Sequence, residues 1–144
     1  MKVKLLNQQP KTYAVIFAAG DEVILNAQEF AKAEALAAAQ VTGIGAFREA
    51  TVGFFSFESK KYKEIYITEQ VEVLSLLGDI TLKEGKPQLH IHVVLGKSDG
   101  SAHGGHLLRA VVRPTLELVV VESPRHLRRR FDPESGLALI DLDA

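Results

Sequence analysis

The chain has 144 residues, of which 47% are hydrophobic and 24% charged, which is typical of one folded domain with a sizeable core. Its formal net charge of −1 argues against a dedicated nucleic-acid binder, although a local basic patch could still bind. The absence of cysteine excludes disulfides and thiolate metal sites, and the lack of a long apolar run excludes a membrane-spanning helix and favours a cytoplasmic protein.

The first part of the chain predicts one strand and the main helix. Lys11–Ala18 is apolar and rich in β-forming residues, which indicates a strand. Asn26, followed three residues later by Glu29, is a variant of the capping box, so a helix is expected over AQEFAKAEALAAA at 27–39. Its apolar positions form one stripe, which predicts that the helix covers a face of a sheet.

Residues after this helix change to the periodicity of a strand. Gly43 and Gly45 are expected to form the helix cap and a turn. Ala46–Phe57 alternates as a strand does, and Gly53 within it indicates a bulge or a close approach of another segment.

The remaining chain predicts mostly strands, with Ser123–Phe131 as a basic segment that contains at most one helical turn. In Gln70–Leu77 the alternation places Ser75 and Leu77 on one face and Leu76 on the other. The prediction is therefore a single α+β domain over residues 1–144, an antiparallel-dominated sheet or sandwich of seven to nine strands with one main helix. Further strands are expected at 63–68, 70–77, 89–95, 107–112, 115–122 and 137–142, with a short strand or loop at 78–87.

Four of the five histidines lie between residues 89 and 108. On a strand, His90 and His92 point to the same face, because side chains alternate with a period of two. His106 follows a hairpin loop and can return beside them. Three neutral imidazoles suit zinc or a similar divalent ion and leave one position open, whereas His103 is spaced to face the other way. The alternative is a set of hydrogen-bonded histidines at a sheet edge.

A second candidate site is the basic stretch SPRHLRRRF at 123–131. Its arginines could bind DNA, phosphate or a carboxylate, and the alternative is a solvated basic face. The residues concerned are Arg125, Arg128, Arg129 and Arg130.

Four segments in this order resemble the PPC (plants and prokaryotes conserved) domain family: TGIGAFREATVGFF, VEVLSLLGDIT, HIHVVLGKSDGSAHGGHLL and TLELVVVE. The resemblance covers residues 12–142 and is most specific at 72–78 and 104–107. It implies an α/β sandwich that associates as a homotrimer, and it singles out His90, His92 and His106 as metal ligands. The Arg-Gly-Arg-Pro element that plant members use to enter the minor groove of DNA is absent from this sequence.

Two functions follow from the resemblance and the histidines. The first is a trimeric module, a candidate DNA-binding or transcription-associated regulator with a histidine metal site. The alternative is a zinc-dependent enzyme or small-ligand binder that uses the histidines at or near a subunit interface, with Glu72 as the candidate general base.

Overall fold

The computed structural model describes residues 1–123 and 126–143, which form nine strands and one helix. This agrees with the expected seven to nine strands and single main helix. No helix in the described part of the chain is long and apolar enough to cross a membrane. The helix α1 is Val23–Ala33, and the strands are β1 (Lys2–Gln8), β2 (Lys11–Ala18), β3 (Ala38–Ser56), β4 (Lys61–Ile67), β5 (Val71–Lys83), β6 (Lys86–Gly96), β7 (Ala102–Glu122), β8 (Arg128–Asp132) and β9 (Leu137–Asp141).

The nine strands belong to one mixed sheet with the order β1-β2-β7-β3-β5-β8-β9, to which β4 is added beside β3, and β6 beside β5 and β7. Every strand pair is antiparallel except β5 with β8, which is parallel. Both β3 and β6 pair with β5 and with β7. These four strands therefore close on one another, and the closure brings the end of β6 beside the start of β7.

The core lies between α1 and the inner face of this sheet. The helix packs against β6 and β7 and buries four residues, with the ring of Phe30 meeting Tyr13 of β2 edge to face at 5.3 Å between centroids. Burial of such large apolar side chains is the main stabilising contribution in a domain of this size. The buried residues of α1 are Val23, Ala27, Phe30 and Ala31.

The helix begins and ends earlier than the sequence predicts. Glu22 is the N-cap, and its carboxylate accepts a hydrogen bond from the backbone N–H of Leu25 at 2.7 Å, so the predicted cap Asn26 lies inside the helix. Glu34 ends the helix and Ala35 adopts a left-handed φ of 52°. The alanines from Ala38 onward are buried in β3 because their small side chains fit a strand between β5 and β7, and this packing overrides their helix propensity.

Gly43 and Gly45 lie within β3 rather than at a helix cap and turn. A Cβ atom on Gly43 would meet the side chain of Leu118, and one on Gly45 would lie 2.7 Å from the Cα atom of Leu116. Both glycines are therefore needed for the close approach of β3 and β7. Gly53 is the close-approach site that its position predicts, since a Cβ there would lie 2.7 Å from the ring of Tyr62.

A bulge in β5 changes the expected side-chain alternation. The register with β6 shifts between Val73 and Ser75. Because the extra residue exchanges the faces beyond it, Leu76 is buried and Leu77 is 57% exposed. Val73 and Leu76 thus share the buried face, contrary to the prediction from strict alternation.

Other strand boundaries also differ from the prediction, and β5 and β6 extend through most of residues 78–87, where a short strand or loop was expected. The N-terminal strand β1 is absent from the prediction, because all of its residues are exposed and its sequence has no buried face to detect. A single strand, β7, runs through the two segments predicted as separate strands. Residues 128–132 form β8, where at most one helical turn was expected, because they pair with β5 and β9.

Candidate metal centre

Strands β6 and β7 carry the three histidines of interest to one place. His90 on β6 lies opposite Asp79 of β5, and two residues further along, His92 lies opposite Leu77. The other edge of β6 pairs with β7, where His92 lies directly opposite His106. The closed arrangement of strands therefore places a residue that follows the hairpin loop next to the His-x-His pair.

Two glycines before His106 make this approach possible. A Cβ atom on Gly104 would lie 2.7 Å from the carbonyl oxygen of Val93 in β6, and one on Gly105 would lie 2.8 Å from the carbonyl oxygen of Gly53 in β3. Real Cβ atoms do not come this close to backbone oxygens. The Gly-Gly pair thus allows β7 to enter between β6 and β3, so that His106 reaches the other two imidazoles.

The three imidazoles converge closely enough to share one ion. One ring nitrogen from each of His90, His92 and His106 lies within 4.8 Å of the others. The Nε2 atoms of His90 and His92 are 3.1 Å apart. Tetrahedral zinc with bonds of about 2.0–2.1 Å separates its ligand atoms by about 3.4 Å. The donor set therefore fits a zinc-sized divalent ion after small ring rotations.

His106 lies in a partly buried environment that favours its neutral form. Its ring stacks on Tyr62 with centroids 5.0 Å apart. Its Nδ1 atom is buried and has no hydrogen-bond partner among the described residues. Burial, together with the charges of His90, His92 and Arg129, lowers the pKa of His106 from 6.5 to about 4. A neutral imidazole with an unpaired nitrogen is suited to bind a metal ion.

The Nδ1 side of His90 lies next to the ion pair between Asp79 and Arg129. Its Nδ1 atom lies 3.7 Å from Oδ2 of Asp79 and 3.3 Å from Nη2 of Arg129. Burial and the positive charge of Arg129 lower the pKa of His90, and Asp79 opposes this shift. The two ring nitrogens of His90 thus face different groups, Nε2 toward His92 and Nδ1 toward Asp79 and Arg129.

His103 lies outside this group. It is exposed and pairs with Leu95, further along the β6–β7 ladder than His92 and His106. The set of converging ring nitrogens does not include His103.

Arg129 is not a surface residue, contrary to the interpretation of the basic stretch as a uniform solvated face. Its side chain is only 7% exposed. Its guanidinium donates to Thr81 Oγ1 at 2.7 Å, to the carbonyl oxygen of Ala138 at 2.9 Å and to Asp79 Oδ1 at 2.8 Å. In β8 alternate residues face opposite sides, which turns this one arginine toward β5 and the histidines.

The other arginines of the basic stretch are placed differently. Arg128 and Arg130 are exposed. Arg130 forms an ion pair with Asp141 of β9, with Nε 2.9 Å from Oδ2. Arg125 lies outside the described residues. Within the described part of the stretch, the exposed positive charge is therefore smaller than the sequence indicates.

Glu72, the predicted candidate for a general base, does not lie beside the histidines. It pairs with Gly96 at the far end of the β5–β6 ladder, whereas His90 pairs with Asp79. The carboxylate beside the histidines is therefore Asp79, which the sequence-based reasoning missed. The sequence shows only that Asp79 precedes the strand LHIHVVL. It does not show which residues of the two segments lie opposite each other.

A cavity of about 320 Å³, which we call the histidine cavity, adjoins the site. His90 and His106 line one part of it together with Arg129. Lys83 and Gln88 line the part that lies further along β5 and β6, and the rest of the wall is mainly apolar. The histidines thus border a space of the size that small ligands occupy, at the lower end of the usual range of roughly 300–1,000 Å³.

Comparison with known proteins gives a family match over most of the chain. A family model described as the Plants and Prokaryotes Conserved (PCC) domain matches residues 6–124. A comparison with curated protein sequences gives no match.

Several solved structures are similar to this chain. One, a candidate DNA-binding protein from Bacteroides thetaiotaomicron, has a TM-score of 0.94 and 30% identity over 99% of this chain and 98% of that chain. Another is described as a metal-containing protein from Archaeoglobus fulgidus, with a TM-score of 0.84 and 34% identity over 96% of both chains. A plant- and prokaryote-conserved (PPC) protein from Pyrococcus horikoshii has a TM-score of 0.85 and 32% identity over 97% of this chain and 94% of that chain.

Proposed function

The chain belongs to the Plants and Prokaryotes Conserved domain family, and from that membership and the site geometry we propose that it is a metal-binding protein. His90, His92 and His106 hold one divalent ion, such as zinc, for each chain. The observation that carries this proposal is the convergence of three ring nitrogens within 4.8 Å of one another. A metal-containing protein that is 34% identical and similar in structure supports it.

The protonation of the site agrees with this function. Imidazole binds metal only when it is neutral, and the lowered pKa values of His90 and His106 keep both rings neutral at pH 7. Three protein ligands leave a position for water or for another ligand, and an ion in such a site makes bound water more acidic and polarises bound oxygen atoms. Metal analysis of protein purified without a histidine tag tests the proposal.

We infer that the chain forms a homotrimer, as its resemblance to the family implies. The outer face of its sheet carries apolar side chains that are exposed in the single chain, on β3, β5 and β7 around the pair Thr42 and Leu77. Contiguous apolar surface of this kind is usually covered by another subunit. The side chains concerned are Ile44, Leu74, Leu77 and Val119.

DNA binding, with a role in transcription, is a second candidate function. Two similar structures, from Bacteroides thetaiotaomicron and Ralstonia eutropha, are candidate DNA-binding proteins. In this chain the exposed residues Arg128 and Arg130 would contribute to the DNA-binding surface. A binding assay at low ionic strength tests it: the affinity should fall with added salt and with Ala at Arg128 and Arg130. Wild-type protein with no salt-sensitive binding would contradict this function.

The alternative of an enzyme or small-ligand binder is favoured by a specific observation, the cavity beside the histidines. The proposed trimer interface would lie near the histidines, because Leu77 pairs with His92. Asp79 replaces Glu72 as the carboxylate closest to the ligand set, although it is engaged with Arg129.

A further inference from the structure

The histidine cavity has a polar pattern that the metal centre alone does not explain. Alternate residues of two paired strands lie on the side of the sheet that carries the histidines: Asp79, Thr81 and Lys83 on β5, opposite His90, Gln88 and Lys86 on β6. Of these, His90, Gln88 and Lys83 line the cavity. The sequence of groups along the cavity is therefore the histidines, then an amide, then an ammonium group.

One end of this row carries the positive charge of Lys83, and the other end would become positive when the proposed ion binds. Lys83 is exposed at the rim and forms no ion pair with any described residue. At the other end, Arg129 is neutralised by Asp79, and the proposed ion would add its own charge. Among the described residues, no carboxylate lines the cavity. Both ends therefore favour an anionic group.

The middle of the row presents an acceptor that lacks a donor. Gln88 Oε1 is buried and has no hydrogen-bond partner among the described residues. Most buried polar atoms in folded proteins are hydrogen-bonded, because an atom left without a partner destabilises the fold. Gln88 also lines the cavity, so a rotation of its side-chain amide would let Oε1 accept a hydrogen bond from a hydroxyl or amine group in the middle of a ligand.

We propose that the histidine cavity binds a small dicarboxylate with a central hydroxyl or amine group. One acid group lies at the histidine centre and the other at Lys83, and the central donor meets Gln88 Oε1 once the amide has turned toward the cavity. The apolar wall, which includes Phe131, Leu137 and Leu139, packs against the carbon chain. The volume of about 320 Å³ suits a ligand of a few carbons. This inference rests on the proposed metal centre.

Calorimetric titration of the tag-free, zinc-loaded full chain tests the inference with three acids. Malate has both acid groups and the hydroxyl, succinate lacks the hydroxyl, and lactate lacks the second acid group. We expect malate to bind most tightly, with succinate and lactate each weaker by about tenfold, because each lacks one hydrogen-bonded group. The zinc content is measured before and after titration, since malate itself binds zinc.

Two substitutions separate the predicted contacts. Lys83→Met should weaken malate binding about tenfold and leave lactate binding unchanged, since lactate has no second acid group. Lys86→Met is the matched control, because Lys86 pairs with Lys83 but does not line the cavity. Gln88→Leu should remove the preference for malate over succinate.

Three results would overturn the inference. The first is zinc-loaded protein that binds malate no better than lactate or inorganic phosphate. The second is equal malate affinity in the Lys83→Met and Lys86→Met variants. The third is a chain that takes up no zinc, which would contradict the proposed metal centre as well. In the first two results the metal centre stands and only the dicarboxylate site fails.

Discussion

Arg129 donates a hydrogen bond to Asp79, with Nη2 2.8 Å from Oδ1, and this pair lies against the Nδ1 side of His90. When Nε2 of His90 holds an ion, Nδ1 carries the proton and needs an acceptor. Asp79 Oδ2 lies 3.7 Å from Nδ1 and can accept this hydrogen bond after a small movement that also turns Nη2 of Arg129, a donor 3.3 Å away, from the protonated Nδ1. With an ion bound, Asp79 would therefore position His90, in the manner of carboxylates behind many zinc-bound histidines.

Replacing Asp79 with Asn should weaken zinc binding by about tenfold or more, because the amide is a poorer acceptor for the His90 proton. Competition with a chromophoric zinc chelator measures the change. Glu72→Gln is the matched control, since Glu72 lies on the same strand but pairs with Gly96, away from the histidines. Equal zinc affinity in the two variants would show that Asp79 has no positioning role.

The arginines of β8 should differ in their effect on stability. Arg129→Ala removes donors from Thr81, Asp79 and the Ala138 carbonyl, so the free energy of unfolding should fall by about 1–3 kcal/mol. Arg128→Ala should change it by less than about 0.5 kcal/mol, because this side chain is exposed. Urea unfolding of both variants checks this, and similar midpoints would contradict the buried role of Arg129.

The stability of the metal-free protein should depend on pH through His106. Its pKa is about 4 in the folded chain, below its usual 6.5. Between these two values the unfolded chain binds a proton that the folded chain does not, so stability falls as the pH drops from about 6.5 to about 4. Urea midpoints of the metal-free wild type and of His106→Gln at pH 7, 5 and 4 measure this. A wild type whose pH dependence matches that of the variant would refute it.

The same lowered pKa values affect metal retention. Free histidine would lose an ion as the pH drops through about 6. Because the pKa values of His90 and His106 are lowered, protons compete less well for these rings, and the zinc should be retained to a lower pH.

Light scattering should return the mass of a trimer for the wild-type chain at micromolar concentration. Leu77→Asp should shift the mass toward the monomer, because it places a charge in the exposed apolar face. Leu25→Asp should leave the mass unchanged, since Leu25 is similarly exposed but lies on α1. A monomeric wild type, or the same mass in all three proteins, would argue against the proposed interface.

The local part of the site could be predicted from the sequence. The period of two along a strand places His90 and His92 on one face, and a hairpin after Gly96 returns the chain beside them. The role of Gly104 and Gly105 could not be predicted from the sequence, because it depends on the backbone oxygens of Val93 and Gly53, which lie on other strands.

The surroundings of the site could not be predicted in the same way. Asp79 meets His90 through the β5–β6 register, which includes a bulge that the alternation of residues does not reveal. Arg129 reaches Asp79 because β8 pairs in parallel with the end of β5, where Lys83 lies opposite Arg129. Such pairing between distant segments is determined by tertiary packing rather than by local pattern.

The metal content of the purified chain, measured by mass spectrometry without a histidine tag, tests the central proposal most directly. The wild type and His103→Ala should each carry about one zinc or similar divalent ion per chain, with an open position expected from three protein ligands. His92→Ala should lose the ion and keep its fold by circular dichroism, because the buried face of β6 is formed by Ile91, Val93 and Leu95. A wild type without metal after exposure to zinc, or a His92→Ala variant that binds as much as the wild type, would contradict the proposal.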